Sequence, residues 1–118
     1  MQSHVNAELE REIGRLRRRY AAIRRESPDA QELVAGWAAE ASGLRWYVVV
    51  ADVVEADIDV ELMPEVIVVR AVRTWPEPAF LLGILPVPGG FDTGQVVIRF
   101  SGETLEVHVR RDPDRGTT

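Results

Sequence analysis

Fifteen of the seventeen valines in this 118-residue chain fall between residues 44 and 111, and that crowding limits the fold more than any other feature of the sequence. A β-branched side chain is stiff about its first torsion and packs well on a pleated surface, so a valine-rich half favours strands. Six segments qualify, at 45–53, 57–62, 66–73, 79–85, 95–100 and 104–110. Several alternate cleanly. Ile58, Val60 and Leu62 oppose Asp57, Asp59 and Glu61; Leu105, Val107 and Val109 oppose Glu106, His108 and Arg110. Period two with one apolar side places one face on a core and the other in water. Short strands with frequent turns predict an antiparallel β-sandwich, mainly β and immunoglobulin-like in its layering.

The stretch LPVPGGFD, residues 85–92, tests this reading. A phosphate-binding loop leads from a strand into a helix N-terminus and, in its commonest form, ends in Gly-Lys-Ser/Thr. This chain has no lysine, and GGFDTG runs instead into the apolar strand QVVIRF. Pro86 and Pro88 interrupt ladder pairing, while Gly89 and Gly90 permit a positive φ, so the stretch is expected to be a corner between two sheets. Ser101-Gly102-Glu103 is expected to close a hairpin.

Residues 1–43 read as helical. Leu9, Ile13, Leu16, Tyr20 and Ile23 recur in steps of four and three, the spacing of a heptad seam, with Asn6 one step upstream. So short a helix is marginal alone and must pack on a second copy, a following helix or the body. Ser27-Pro28-Asp29 has the make-up of a helix start, which predicts a second helix carrying Leu33, Val34, Trp37 and Ala41 and ending at Gly43. The arm is therefore expected to be a helical hairpin with coiled-coil character, followed by the sandwich over 44–111 and a flexible tail over 112–118.

Charge divides along the same line. Residues 1–26 hold seven arginines against four glutamates, and the remainder holds seven arginines against fifteen acids. An acidic body repels nucleic acid and anionic membranes, and the arginines of RLRRRYAAIRR lie off the seam with no interleaved aromatic platform, as on a solvated helix face. The chain has no cysteine, no long apolar span and no signal-like N-terminus, so disulfides and thiolate chemistry are excluded and a cytoplasmic location is expected.

The β half resembles the α-crystallin domain of the small heat-shock proteins, within the wider Hsp20-like group that includes the p23/CS co-chaperones. The resemblance runs through WYVVVADVVEAD, IDVEL, VIVVRAVR, FLLGILPVPGGFD and VVIRFSGETLEVHVRR in that order, covering residues 45–111. Its departures are specific. TWPEP is short where many bacterial members carry a long exchanging loop, Leu81 or a neighbour stands where arginine is common, and Gly-Glu-Thr-Leu is one residue longer than the usual turn. The tail RRDPDRGTT carries no Ile-x-Ile docking motif. These departures speak against large shells and leave the arm as the candidate for a dimer or small homo-oligomer.

The resemblance implies ATP-independent holding of partly unfolded proteins, with no cofactor and no catalysis. By analogy with the family groove, partner contacts are expected at Val66, Val68, Val96, Ile98 and Phe100. The same residues also suit a plain core. Trp75, in its proline-flanked link, either caps the sandwich or stands exposed as a contact. The alternatives are a p23/CS-like adaptor for one defined partner and a regulatory protein whose basic arm meets an acidic partner. His4 and His108 lack metal-ligand spacing, and the acids Asp52, Glu55, Asp57, Asp59 and Glu61 read as a solvated face rather than a catalytic pair. Ser42, Ser101 and Thr93 lack the sequence context of a nucleophile, such as Gly-x-Ser-x-Gly.

Overall fold

Residue-by-residue alternation, set by the strands' pairing, divides the valine-rich half into an inner and an outer surface. A computed structural model describes residues 2–111, with side chains from residue 7 onward; the side chains of His4 and Asn6 and the whole tail 112–118 lie outside the described residues. Two helices come first, α1 (Gln2–Arg19) and the short α2 (Ala21–Arg25). The strands are β1 (Gln31–Glu32), β2 (Ala35–Glu40), β3 (Gly43–Val49), β4 (Ile58–Leu62), β5 (Val66–Arg73), β6 (Ala79–Pro86), β7 (Phe91–Ser101) and β8 (Thr104–Arg111). They form two sheets, one in the order β1-β6-β5-β4 and the other β2-β3-β8-β7. Every neighbouring pair is antiparallel except β1 with β6.

The inner faces meet in one core. Ile67, Val69 and Ala71 of β5 and Leu81 and Leu85 of β6 pack against Leu44, Trp46 and Val48 of β3 and Leu105, Val107 and Val109 of β8. Trp46 is fully buried, and its indole N–H donates to the Pro86 carbonyl at 3.1 Å, so its one polar group is satisfied within the core. This bond joins the sheets where the chain leaves β6. The corner expected at residues 85–92 is there, carrying the chain from one sheet to the other. Pairing persists through Pro86, opposite Val66, and of the two glycines only Gly90 takes a positive φ, at 98°. The hairpin after β7 closes through Gly102, φ 62°.

The helix expected between Ser27 and Gly43 is not formed. Residues 31–40 are β1 and β2 instead, and Ser27-Pro28-Asp29 makes a β-turn in which the Ala30 N–H donates to the Ser27 carbonyl at 3.1 Å. Proline suits the second position of such a turn as well as the first turn of a helix. Leu33 and Val34 carry the chain between sheets: the Leu33 N–H donates to the Leu82 carbonyl and the Val34 carbonyl accepts from the Val49 N–H, both at 2.9 Å. In β2, Ala35, Trp37 and Ala39 are paired with the core positions Val48, Trp46 and Leu44. Alanine suits either face, so the period of two was hidden, and pairing with β3 overrides alanine's helix propensity.

Helix α1 forms as expected, and its seam is seated on its own sandwich. Ile13 joins the main core, with Leu9 packed beside it, and Leu16 is 1% exposed. Farther along, Tyr20 and Ile23 cover Val66, Val68 and Leu82 on the outer face of the β1-β6-β5-β4 sheet. Polar contacts fix the register: the Tyr20 hydroxyl lies 3.3 Å and the Arg19 guanidinium 3.4 Å from the Glu65 carboxylate, Arg24 pairs with Glu32, and the Gly89 N–H donates to Glu12 at 3.4 Å. These surface bonds contribute little energy individually; burial of the seam, roughly 1.5–3 kcal/mol per large apolar side chain, holds the helix down.

Two stability predictions follow from this packing. A Cβ on Gly43 would lie 2.1 Å from the Val109 carbonyl oxygen, whereas one on Gly36 meets nothing within 4 Å. Gly43→Ala is expected to lower unfolding free energy by about 2 kcal/mol or more and Gly36→Ala to change it by about 0.5 kcal/mol at most, both read by urea denaturation. Leu16→Ala is expected to cost about 2–5 kcal/mol in the same assay at protein concentrations where the chain is monomeric. A negligible cost would mean that the helix does not rest on the sandwich.

Candidate functional site

A sandwich that is not closed leaves its last strands without a neighbour on one side. Here β1 and β2, joined by only Leu33 and Val34, end the two sheets on one side, so β4 and β7 end them together on the other. Ile58 and Val60 of β4 and Val96 and Phe100 of β7 are half-buried against the main core. Leu62, opposite Ile67, is 47% exposed although its partner is fully buried; Ile98, opposite the buried Val107, is 41% exposed. These inward-facing apolar side chains form an open border to the core. On β4 the border is guarded by the exposed carboxylates of Asp59 and Glu61, the latter 2.8 Å from Arg70. On β7 it is weakly guarded, with Val97 also exposed beside Ile98. A break in the pairing of β7 with β8 lies between Phe91 and Val96, where Asp92 accepts from the Gly94 N–H at 2.8 Å.

The structure divides the five groove candidates into two groups. Val96, Ile98 and Phe100 share the β7 border, whereas Val66 and Val68 lie on the central strand β5, fully buried on the outer sheet face beneath Tyr20 and Ile23. The strand facing β7 across the opening is β4. Val66 and Val68 therefore lie one strand inward of the opening, and valines on both faces of β5 do not mark the edge strand in the sequence. Ile58, Val60 and Leu62 were not among the candidates, and their alternation with acids was the available sign of an edge strand.

Trp75 stands at the tip of the β5–β6 hairpin and is 73% exposed, the contact-like of its two expected positions. The acids Asp52, Glu55, Asp57, Asp59 and Glu61 are all exposed. The uncovered outer face of the β2-β3-β8-β7 sheet carries charged side chains beside the exposed Tyr47, Val49 and Val97. Arg45 lies between Glu40, at 2.9 Å, and Glu106, with which it also pairs. Its hydrogen bond holds the Glu40 carboxyl below its ordinary value and raises the Arg45 guanidinium in turn. His108 lies 3.3 Å from the Ser42 hydroxyl on this exposed face. Among the described residues, no three histidines or carboxylates stand together as metal ligands, and no helix is long and apolar enough to cross a membrane.

No family model and no curated protein matches the sequence. Solved structures do match the fold. HSP18.5 from E. histolytica superposes with a TM-score of 0.65 at 10% identity, over 70% of this chain and 89% of that one. The hspA protein from Xanthomonas axonopodis gives 0.63 at 11% identity, over 70% and 96%. Heat shock protein 16.0 from Schizosaccharomyces pombe gives 0.65 at 11% identity, over 75% and 72%. With two antiparallel layers, the inter-sheet corner and the paired edge strands in place, the chain has the β-sandwich fold of the small heat-shock proteins, preceded by a helix that packs on it.

Proposed function

We propose that this protein binds non-native polypeptides without nucleotide or cofactor, as a holdase of the small heat-shock type, through the open border between β4 and β7. The observation that carries the proposal is the pair of unpartnered edges with inward-facing apolar side chains left partly exposed, Ile98 and Leu62 above all. An extended segment can add main-chain hydrogen bonds at such an edge and place alternate apolar side chains against the core. Likeness to heat-shock proteins supports the reading at the level of fold. The chemistry required is non-covalent, so no catalytic group is invoked.

A second reading has its own observation. Self-association through Leu9, Ile13, Leu16, Tyr20 and Ile23 requires α1 to leave the sandwich, and residues 74–78 make only a short link between β5 and β6. A chain that keeps its arm on its own body suits an adaptor of the p23/CS kind, using the same border for one defined partner.

Light scattering from a heat-labile test protein separates the two. The holdase reading predicts suppression of aggregation near equimolar ratio without nucleotide, reduced several-fold by Ile98→Asp in a variant whose circular dichroism is unchanged. Absence of suppression at several-fold excess contradicts general holding and leaves the one-partner adaptor.

A further inference from the structure

The helical arm covers only part of the outer face of the β1-β6-β5-β4 sheet. Beyond α2 the face opens into a cleft of about 490 Å³, next to the 26–30 turn and reaching β4 on the outer side of the sheet. Its apolar lining includes Leu82 and the cross-strand pair Val72 and Phe80, the latter 66% exposed. Glu26, Asp29, Asp57 and Asp59 also line it, and none of the four forms an ion pair with a described residue. The one cation at the cleft, Arg70, is 2.8 Å from Glu61, so its charge is already offset.

Two properties therefore coincide: an exposed aromatic on an apolar floor and an excess of unpaired negative charge around it. An exposed aromatic continuous with an apolar floor offers area for a partner to bury, and carboxylates that pair with no described cation beside it select the sign of what approaches. A second copy's arm meets only half of this demand. The described part of α1 and α2 presents arginines outward but no exposed large apolar side chain. We propose that the cleft is a docking site for a peptide segment in which aromatic or aliphatic side chains are flanked by arginine or lysine. Phe80 and Val72 receive the apolar side chain; Asp57, Asp59, Asp29 and Glu26 receive the cations. The inference shares with the holdase reading that the ligand is a polypeptide and that β4 borders both surfaces, but Asp59 faces the cleft on the outer side of the sheet while Ile58, Val60 and Leu62 face inward.

The test uses a short labelled peptide alternating arginine with leucine or phenylalanine, beside its counterpart with glutamate for arginine, both read by fluorescence anisotropy on the full chain. The arginine peptide is expected to bind, with affinity falling as salt rises, and to lose roughly tenfold on Asp57→Asn with Asp59→Asn and on Phe80→Ser. All three positions are exposed, and unchanged thermal unfolding of each variant confirms that folding is intact. Ile98→Asp is expected to leave this binding unchanged, so failure of the holdase reading leaves the cleft standing. Equal binding of the glutamate peptide, indifference to the cleft variants, or loss on Ile98→Asp overturns the assignment. A concentration-dependent mass abolished by the Asp57→Asn and Asp59→Asn pair overturns it in favour of a second copy.

Discussion

Seating of the α1 seam on the sandwich is the contact on which the rest of the arrangement depends. Val66, Val68 and Leu82 form an apolar strip on the outside of a sheet, which in isolation would be an aggregation-prone face. Tyr20 and Ile23 cover that strip while Ile13 enters the main core, so the helix and the outer face satisfy each other. A helix of this length has little stability of its own, and its amphipathic face must find a surface. Here the nearest such surface belongs to the same chain.

This arrangement decides what is left for partners. With part of the outer face of one sheet covered and that of the other crossed by the Arg45, Glu40 and Glu106 cluster, the β4/β7 border and the cleft at Phe80 are two apolar openings left among the described residues. They differ in character. The border lies along two sheet edges lined by half-buried aliphatic side chains, the lining that the proposed binding of extended segments requires. The cleft is lined by carboxylates that pair with no described cation, the basis of the charge selectivity proposed for it.

Most of the β half was legible from the sequence because its strands alternate and its turns carry glycine and proline at the required places; 66–73 is a strand over that whole span. The corner at residues 85–92 was also legible, since lysine and a following helix were both missing. Two features were not. Residues 31–40 were hidden because Ala35, Ala38 and Ala39 erase the contrast between faces and because Ser27-Pro28-Asp29 serves a turn as readily as a helix start. The covering of Val66 and Val68 was not legible because β5 is apolar on both sides: its inner residues meet the core and these two meet the helix. A local pattern shows that a residue is buried, but not which element buries it. For the same reason the heptad spacing identified the right five residues of the arm without identifying their partner surface.

The most direct test of this account places a photo-crosslinking amino acid at Ile98 in one variant and at Val68 in another, and irradiates each during heat challenge with an unfolding test protein. Adducts with the test protein at position 98, and only internal crosslinks to the arm at position 68, are the predicted result. Adducts with the test protein at position 68 equal to those at 98 would contradict the account, because they would show that α1 leaves the sandwich and that the strip beneath it is itself the binding surface.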